Sequence, residues 1–155
     1  MERVQDVAKR LNRLYQADND GERIDEMRLH KLLYFVQRES LLRTGEPMFE
    51  DEFEGWKYGP VIRYVRNAYA HGVLFEGPSE EISEEAADMI QFVYDRYKKL
   101  SPWKLSLLSH GEYSWRNARE GLTQDQNGSR PLSLLDIRLD AAREKLRRDL
   151  EARTA

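Results

Sequence analysis

The chain contains no cysteine in 155 residues, and this absence removes several kinds of chemistry at once. Disulfide cross-links, thiolate nucleophiles and cysteine-ligated zinc sites all need the missing side chain. Long apolar runs are absent too. No stretch approaches the roughly 18 apolar residues that a membrane-spanning helix needs, so we expect no such helix. The first residues, Met1 to Val4, lead into amphipathic sequence rather than a signal peptide. We therefore expect a cytoplasmic protein.

Charge of one sign is also in small excess. The chain has 25 basic and 28 acidic residues, which gives a net charge of -3. Nucleic-acid-binding proteins usually concentrate basic residues, so we expect no direct contact with DNA or RNA. With 40% hydrophobic and 34% charged residues, the composition is that of a soluble globular protein. The length predicts one domain, residues 1–155, with a single core.

Helical periodicity dominates what is present. Apolar residues recur at steps of three and four over about 2–17, 27–42 and 83–100, and a short helix is predicted from Ser101-Pro102 to near Gly111. Ser83 and Ser101 are placed as helix caps, and Gly45 as a helix stop. Gly59-Pro60 resembles a further helix start. The sequence thus predicts a mainly α fold, a single compact helical domain of about six to seven helices, with a possible short β segment near residues 49–57.

The end of the chain predicts one more helix, after a loop at about 121–131. Its apolar residues step by four, three, four and four: Leu135, Leu139, Ala142, Leu146 and Leu150. Such a stripe predicts that this face of the helix packs against the rest of the domain.

The three histidines do not form a metal-site pattern. His30, His71 and His110 lie roughly forty residues apart and share no short ligand spacing. No glycine pattern for nucleotide binding is present either, so no metal and no cofactor is expected. His110, with Glu112 to orient it, is a candidate general base in a small hydrolase or transferase, although no serine or cysteine nucleophile motif accompanies it. The simpler interpretation is that the His110 ring satisfies backbone groups at a helix end.

Large aromatic residues give a second signal, at Phe53, Trp56, Tyr58, Trp103 and Trp115. Such side chains are common both in cores and at the energetic centres of protein interfaces. The segment from Trp56 to Pro60 joins an irregular stretch to a predicted helix, where aromatic faces could meet a partner protein. The hypothetical partner-contact residues are Trp56, Tyr58, Gly59, Pro60, His110, Trp115 and Arg116.

Several short motifs occur in a fixed order along the chain. They are Leu29-His30-Lys31-Leu32-Leu33-Tyr34, Phe53-Glu54-Gly55-Trp56, Tyr58-Gly59-Pro60-Val61, Ser109-His110, and Trp115 followed by Ala118-Arg119. Together they resemble the Panacea domain, a family of SocA-like protein antitoxins and proteolytic adaptors. The resemblance covers about residues 24–120. One departure is Ser114, where the family often has a proline before the tryptophan.

The resemblance implies a mainly helical, non-enzymatic domain that binds and neutralises a cognate protein toxin. In the SocA-like branch it also implies delivery of the toxin to a Clp-type protease. A phage-associated regulatory protein of the same fold, without a toxin, is an alternative, as is the small hydrolase or transferase. The motif positions expected in the core are Leu29, Leu32, Leu33, Tyr34, Val61 and Ala118.

Overall fold

A buried central helix organises the fold in the computed structural model, which describes residues 1–154. This helix, α2, is Glu26–Thr44, and every residue from Leu29 to Leu41 is buried. The Asp25 side chain caps its first turn by accepting from the Arg28 N–H, and Gly45 ends it in the left-handed conformation with φ of 77°. Helices on several sides cover α2, which explains why its apolar residues form no single stripe.

Seven α-helices and one small sheet make up the regular structure within the described range, so the predicted mainly α class is confirmed. The elements are α1 (Val4–Asp18), α2, β1 (Glu54–Trp56), β2 (Gly59–Val61), α3 (Arg63–Ala70), α4 (Glu84–Tyr97), α5 (Pro102–His110), α6 (Tyr113–Ala118) and α7 (Leu134–Thr154). Ser83 and Ser101 cap α4 and α5 as predicted, each accepting from a backbone N–H three residues later. Among residues 1–154, no helix is both long and apolar enough to span a bilayer.

The segment around Pro60 differs from the prediction. Pro60 does not start a helix; it lies in β2, which pairs antiparallel with β1, and α3 begins at Arg63. Pro60 sits opposite Gly55, and Gly55 donates its N–H away from β2, to the Arg130 carbonyl at 2.9 Å. Gly55 and Pro60 therefore form a pair without hydrogen bonds between the two strands. Because no N–H of residue 60 is needed for the pairing, a proline is tolerated there.

Helix α7 forms as predicted, but the prediction that its leucine stripe is buried is wrong. Leu135, Leu139, Leu146 and Leu150 are between 51% and 68% exposed. The buried face instead carries Ile137, Asp140, Ala141 and Glu144. This face packs inward because α2 carries polar groups that bond to α7. The Tyr34 hydroxyl of α2 donates to Asp140 at 2.8 Å, and Arg148 of α7 donates to Glu39 of α2 at 2.8 Å.

Candidate functional site

Four of the hypothetical partner-contact residues meet where the β1–β2 hairpin lies against α5 and α6. The Trp115 indole N–H donates to the Trp56 carbonyl at 2.8 Å. The His110 ring stacks on Trp115, with ring centroids 4.1 Å apart and planes only 5° from parallel. Both helices therefore fix the position of the hairpin, and Trp56, His110 and Trp115 are half-buried in that junction.

Tyr58 lies at the hairpin turn, where its backbone is hydrogen-bonded to α5 and its side chain is exposed. The Ser106 hydroxyl on α5 donates to the Tyr58 carbonyl at 2.6 Å and lies 3.4 Å from His110 Nε2. The Tyr58 ring is 48% exposed and meets Trp103, 55% exposed, edge-to-face at 6.4 Å. Leu107, 53% exposed, follows one helical turn after Trp103. We call Tyr58, Trp103 and Leu107 the exposed patch.

The other hypothetical contact residues have different surroundings. Gly59 and Pro60 are buried behind the turn, so neither presents a side chain to the surface. Gly59 has φ of 126°, and a Cβ atom there would lie 2.6 Å from Lys31 Nζ. That position needs glycine both for its backbone angle and for the close approach of the lysine. Arg116 is exposed on α6, outside the junction of the hairpin with α5.

The motif positions expected in the core are all buried. Leu29, Leu32, Leu33 and Tyr34 are fully inaccessible, whereas Val61 and Ala118 are 7% and 8% exposed. Tyr34 also carries a polar function inside the core, because its hydroxyl is bonded to Asp140 and lies 3.0 Å from the Ser114 hydroxyl. Burial, reinforced by the charges of Glu112 and Asp140, raises the pKa of Tyr34 well above its ordinary value.

His110 and Glu112 do not form the pair that a hydrolase or transferase would use. Glu112 is 4% exposed, accepts from Arg38 at 2.6 Å and has one carboxylate oxygen 3.3 Å from the Tyr34 hydroxyl. Burial raises the pKa of Glu112, although Arg38 opposes this effect. The pKa of His110 is lowered by burial and then by the charge of Lys31. The imidazole is thus neutral at neutral pH, and its surroundings are an indole ring and a serine.

A cavity of about 430 Å³ opens behind the hairpin, and the sequence did not indicate it. We call it the Lys31 cavity. Lys31 reaches it from α2 and is only 2% exposed, and burial lowers the pKa of its ammonium to about 8. The neighbouring His30 is also buried, with its pKa lowered by burial. Its Nε2 lies 3.2 Å from Glu26, whereas its Nδ1 has no hydrogen-bond partner in the described part of the chain.

Two surface residues of the patch were also not assigned a role from the sequence. The sequence shows Trp103 as one of several large aromatic residues and does not indicate that Leu107 is exposed. Trp103 and Leu107 are four residues apart and therefore lie on the same face of α5. However, α5 carries apolar residues on all its faces, so the sequence does not reveal which face is exposed to solvent. Within residues 1–154, no three histidine, aspartate or glutamate side chains are grouped as a metal site would require.

A family model described as "Antitoxin SocA-like, Panacea domain" matches residues 29–116. The matched segment runs from α2 to α6 and contains the hairpin, Lys31 and the exposed patch. No curated protein and no solved structure gives a significant match.

Proposed function

Because the chain belongs to the SocA-like antitoxin family with a Panacea domain, we propose that it is a non-enzymatic antitoxin that binds a cognate protein toxin and neutralises it by covering the toxin's active surface. Neutralisation of this kind needs a complementary surface and no reaction. The single observation that carries the proposed interface is the exposed patch, in which Tyr58 and Trp103 meet edge-to-face at the surface.

The chemistry of the patch suits a binding centre. Tyrosine and tryptophan supply large contact areas at small entropic cost and dominate the energetics of many interfaces. Lys57 lies 5.3 Å from the Tyr58 ring, and Lys104 is exposed next to Trp103, so basic groups border the apolar centre. An acidic rim on the toxin would complement this arrangement.

The patch is also held rigidly from behind, which lowers the cost of binding. Ser106 fixes the Tyr58 backbone at 2.6 Å, and Trp115 fixes the Trp56 backbone at 2.8 Å. Two arginines flank the Trp56 ring, with Arg63 at 5.5 Å and Arg66 at 5.7 Å from its centroid. A surface whose backbone is already ordered loses little conformational freedom when a partner docks.

The first experiment is co-expression of the chain with the gene adjacent to it in its source genome. We expect growth rescue and co-purification of the two products. Tyr58→Ala and Trp103→Ala should each weaken the purified complex by at least about tenfold. Tyr64→Ala is the matched control, because Tyr64 is also 48% exposed but lies on α3.

Each outcome of this experiment bears on a different part of the proposal. If the folded Tyr58 and Trp103 variants bind the toxin as tightly as the wild type, the patch is not the interface. If the neighbouring product is harmless and nothing co-purifies, the antitoxin function itself fails, and a phage-associated regulator without a toxin becomes the better description. Turnover that His110→Ala abolishes would instead support the enzyme alternative.

Delivery of the bound toxin to a Clp-type protease is the finer part of the proposal, and it follows from the resemblance alone. It predicts that a purified Clp protease with its unfoldase degrades the toxin faster when the chain is present. If the toxin is equally stable with and without the chain while the complex forms, neutralisation proceeds by occlusion only.

A further inference from the structure

Lys31 is an unusual residue because its side chain is buried and has no ion-pair partner within the described residues. Lysines are almost never fully buried unless they are paired, yet Lys31 is 2% exposed. Among residues 1–154, no carboxylate lies within ion-pair distance of Lys31 Nζ, and no acceptor is hydrogen-bonded to it. The cavity that it lines is the place from which a partner could reach it.

The nearest acidic residue is already engaged. The two carboxylate oxygens of Glu26 accept from Arg66 at 2.8 and 2.6 Å, and one of them also lies 3.2 Å from His30 Nε2. Glu26 raises the pKa of Lys31, but burial has the larger effect and the pKa is lowered. Glu26 is therefore not free to pair with the Lys31 ammonium, which faces the cavity.

The walls of the Lys31 cavity define what kind of group could pair with the ammonium. Three cations line it, Lys31, Lys57 and Arg66, against the single carboxylate of Glu26. With His30 neutral, the lining carries a net charge of +2, from three positive groups and one negative group. The remaining walls are mainly apolar or aromatic, with one amide at Asn127 beside Met27, Trp56, Tyr58 and Val61.

This lining matches a carboxylate better than a phosphate. Arg66 is already paired with Glu26 and Lys57 is only half-buried, so Lys31 is, within residues 1–154, the one buried cation of the lining without a carboxylate partner. It balances one negative charge, whereas a dianionic group would leave its second charge without a buried counter-ion. Apolar walls favour a ligand whose acid group is attached to a hydrocarbon or aromatic body.

We propose that the Lys31 cavity is a binding site for a carboxylate on an apolar body, with Lys31 Nζ as its ion-pair partner. The carboxylate can come from a free organic acid or from an acidic group of the toxin, because Trp56 and Tyr58 line the cavity and Tyr58 also belongs to the exposed patch. The second source rests on the proposed antitoxin function; the first does not.

The first arm uses the purified full chain and no toxin. Hexanoate and 3-phenylpropionate are the probes, and the neutral amide of each is its control. Calorimetry should show that the acids bind at least about tenfold more tightly than the amides. Lys31→Met should remove this preference, whereas Lys104→Met, which alters an exposed lysine on α5 outside the cavity, should leave it intact.

A measurement on the wild-type protein keeps this arm decisive even if Lys31→Met fails to fold. In a chain labelled with carbon-13 at lysine, the Lys31 side-chain signal should titrate near pH 8 without ligand. Bound 3-phenylpropionate should move that titration upward, because an ion pair favours the charged ammonium. Equal binding of acids and amides, with an unmoved Lys31 titration, rules out a free organic acid as the source.

The second arm measures toxin affinity. If free acids fail, a loss of at least about tenfold in toxin binding by folded Lys31→Met, with binding unchanged by Lys145→Met at an exposed lysine of α7, assigns the carboxylate to the toxin. If free acids fail and Lys31→Met binds toxin normally, the cavity is not a carboxylate site and the inference is overturned. If the wild type binds no toxin, the proposed function fails, and the first arm alone decides the inference.

Discussion

Lys31 makes the folded protein less stable than its packing alone would allow. Its side chain is 2% exposed, and burial lowers its pKa from 10.5 to about 8. A displacement of this size corresponds to roughly 3 kcal/mol of unfavourable free energy when the lysine is charged in both states. A residue retained at such a cost is a reasonable candidate for a role in binding rather than in stability.

The pH dependence of stability tests this cost directly. Below about pH 8 the lysine is charged in both states, and the folded state carries the full penalty. Above that pH the folded lysine is neutral while the unfolded one still binds a proton, so the unfavourable contribution of Lys31 to the stability of the wild type shrinks as the pH approaches about 10.4. Lys31→Met lacks this contribution. We expect urea unfolding to show the variant more stable by about 1–3 kcal/mol at neutral pH, with a smaller difference at about pH 10.

The comparison between the two proteins isolates Lys31, because all other lysines and tyrosines titrate in both. A difference in the free energy of unfolding that stays constant between neutral and alkaline pH would mean that Lys31 is not the titrating group. A variant less stable than the wild type at neutral pH would mean that the ammonium has a favourable partner in the folded protein.

Among the elements, α7 shows most clearly how a helix face is selected. Its outward face carries leucines, and its inward face carries Asp140 and Glu144, each 1% exposed. Asp140 accepts from the Tyr113 and Ser114 N–H groups at 2.8 and 3.0 Å, so it holds the start of α6. Only a few apolar side chains of α7 are therefore buried, mainly those of Ile137 and Ala141.

Alanine substitutions on the two faces of α7 should have unequal effects. Ile137→Ala removes a side chain that is 3% exposed, and we expect unfolding measurements to show a loss of about 2–5 kcal/mol. Leu139→Ala, on the same helix but 52% exposed, should change stability by no more than about 0.5 kcal/mol. Equal losses at the two positions would show that the leucine face is covered in the folded protein, by a second copy or another segment.

These elements also show what the sequence could and could not predict. Helix caps at Ser83 and Ser101 and the stop at Gly45 depend on neighbouring residues only, and all three predictions are confirmed. The face of α7 could not be read correctly, because an aspartate at a buried position looks like a solvent-facing residue until its partners, far away in the sequence, are known. Tyr34 donates to Asp140 across 106 positions of the chain.

In the hairpin and the site, too, features that depend on neighbouring residues could be predicted, and features that depend on residues distant in sequence could not. Pro60 is compatible with a helix start by every local rule, but the Arg130 carbonyl, distant in sequence, takes the N–H of Gly55 and stabilises the strand pairing. Motif order drew attention to Trp56, Tyr58, His110 and Trp115, which the fold brings together. The Lys31 cavity was not foreseen, because Lys31 lies within an apolar run and only the packed hairpin closes a cavity over it.

At the scale of the whole molecule, ion pairs connect different segments of the chain. Four glutamates with lowered pKa values take part: Glu26 with Arg66, Glu39 with Arg148, Glu54 with Arg63, and Glu80 with Arg10. For Glu39, burial pushes the pKa upward, but bonds from Arg148 and Arg43 outweigh burial and the pKa is lowered. A carboxyl whose pKa is lowered by folding stabilises the protein above its unfolded pKa of about 4.3. That contribution is lost as the pH falls through the lower, folded value.

Acid should therefore loosen the connection between α2 and α7 through Glu39, whose side chain is 2% exposed and bridges Arg43 to Arg148. We expect the melting temperature of the wild type to fall between about pH 5 and about pH 3. Glu39→Gln should be less stable at neutral pH, by about 1–3 kcal/mol, and should lose less on acidification because the group that takes up the proton is gone. Glu151→Gln, at an exposed position of α7, is the control and should follow the wild type at both pH values. Parallel melting profiles for Glu39→Gln and the wild type would show that Glu39 does not contribute to the acid sensitivity.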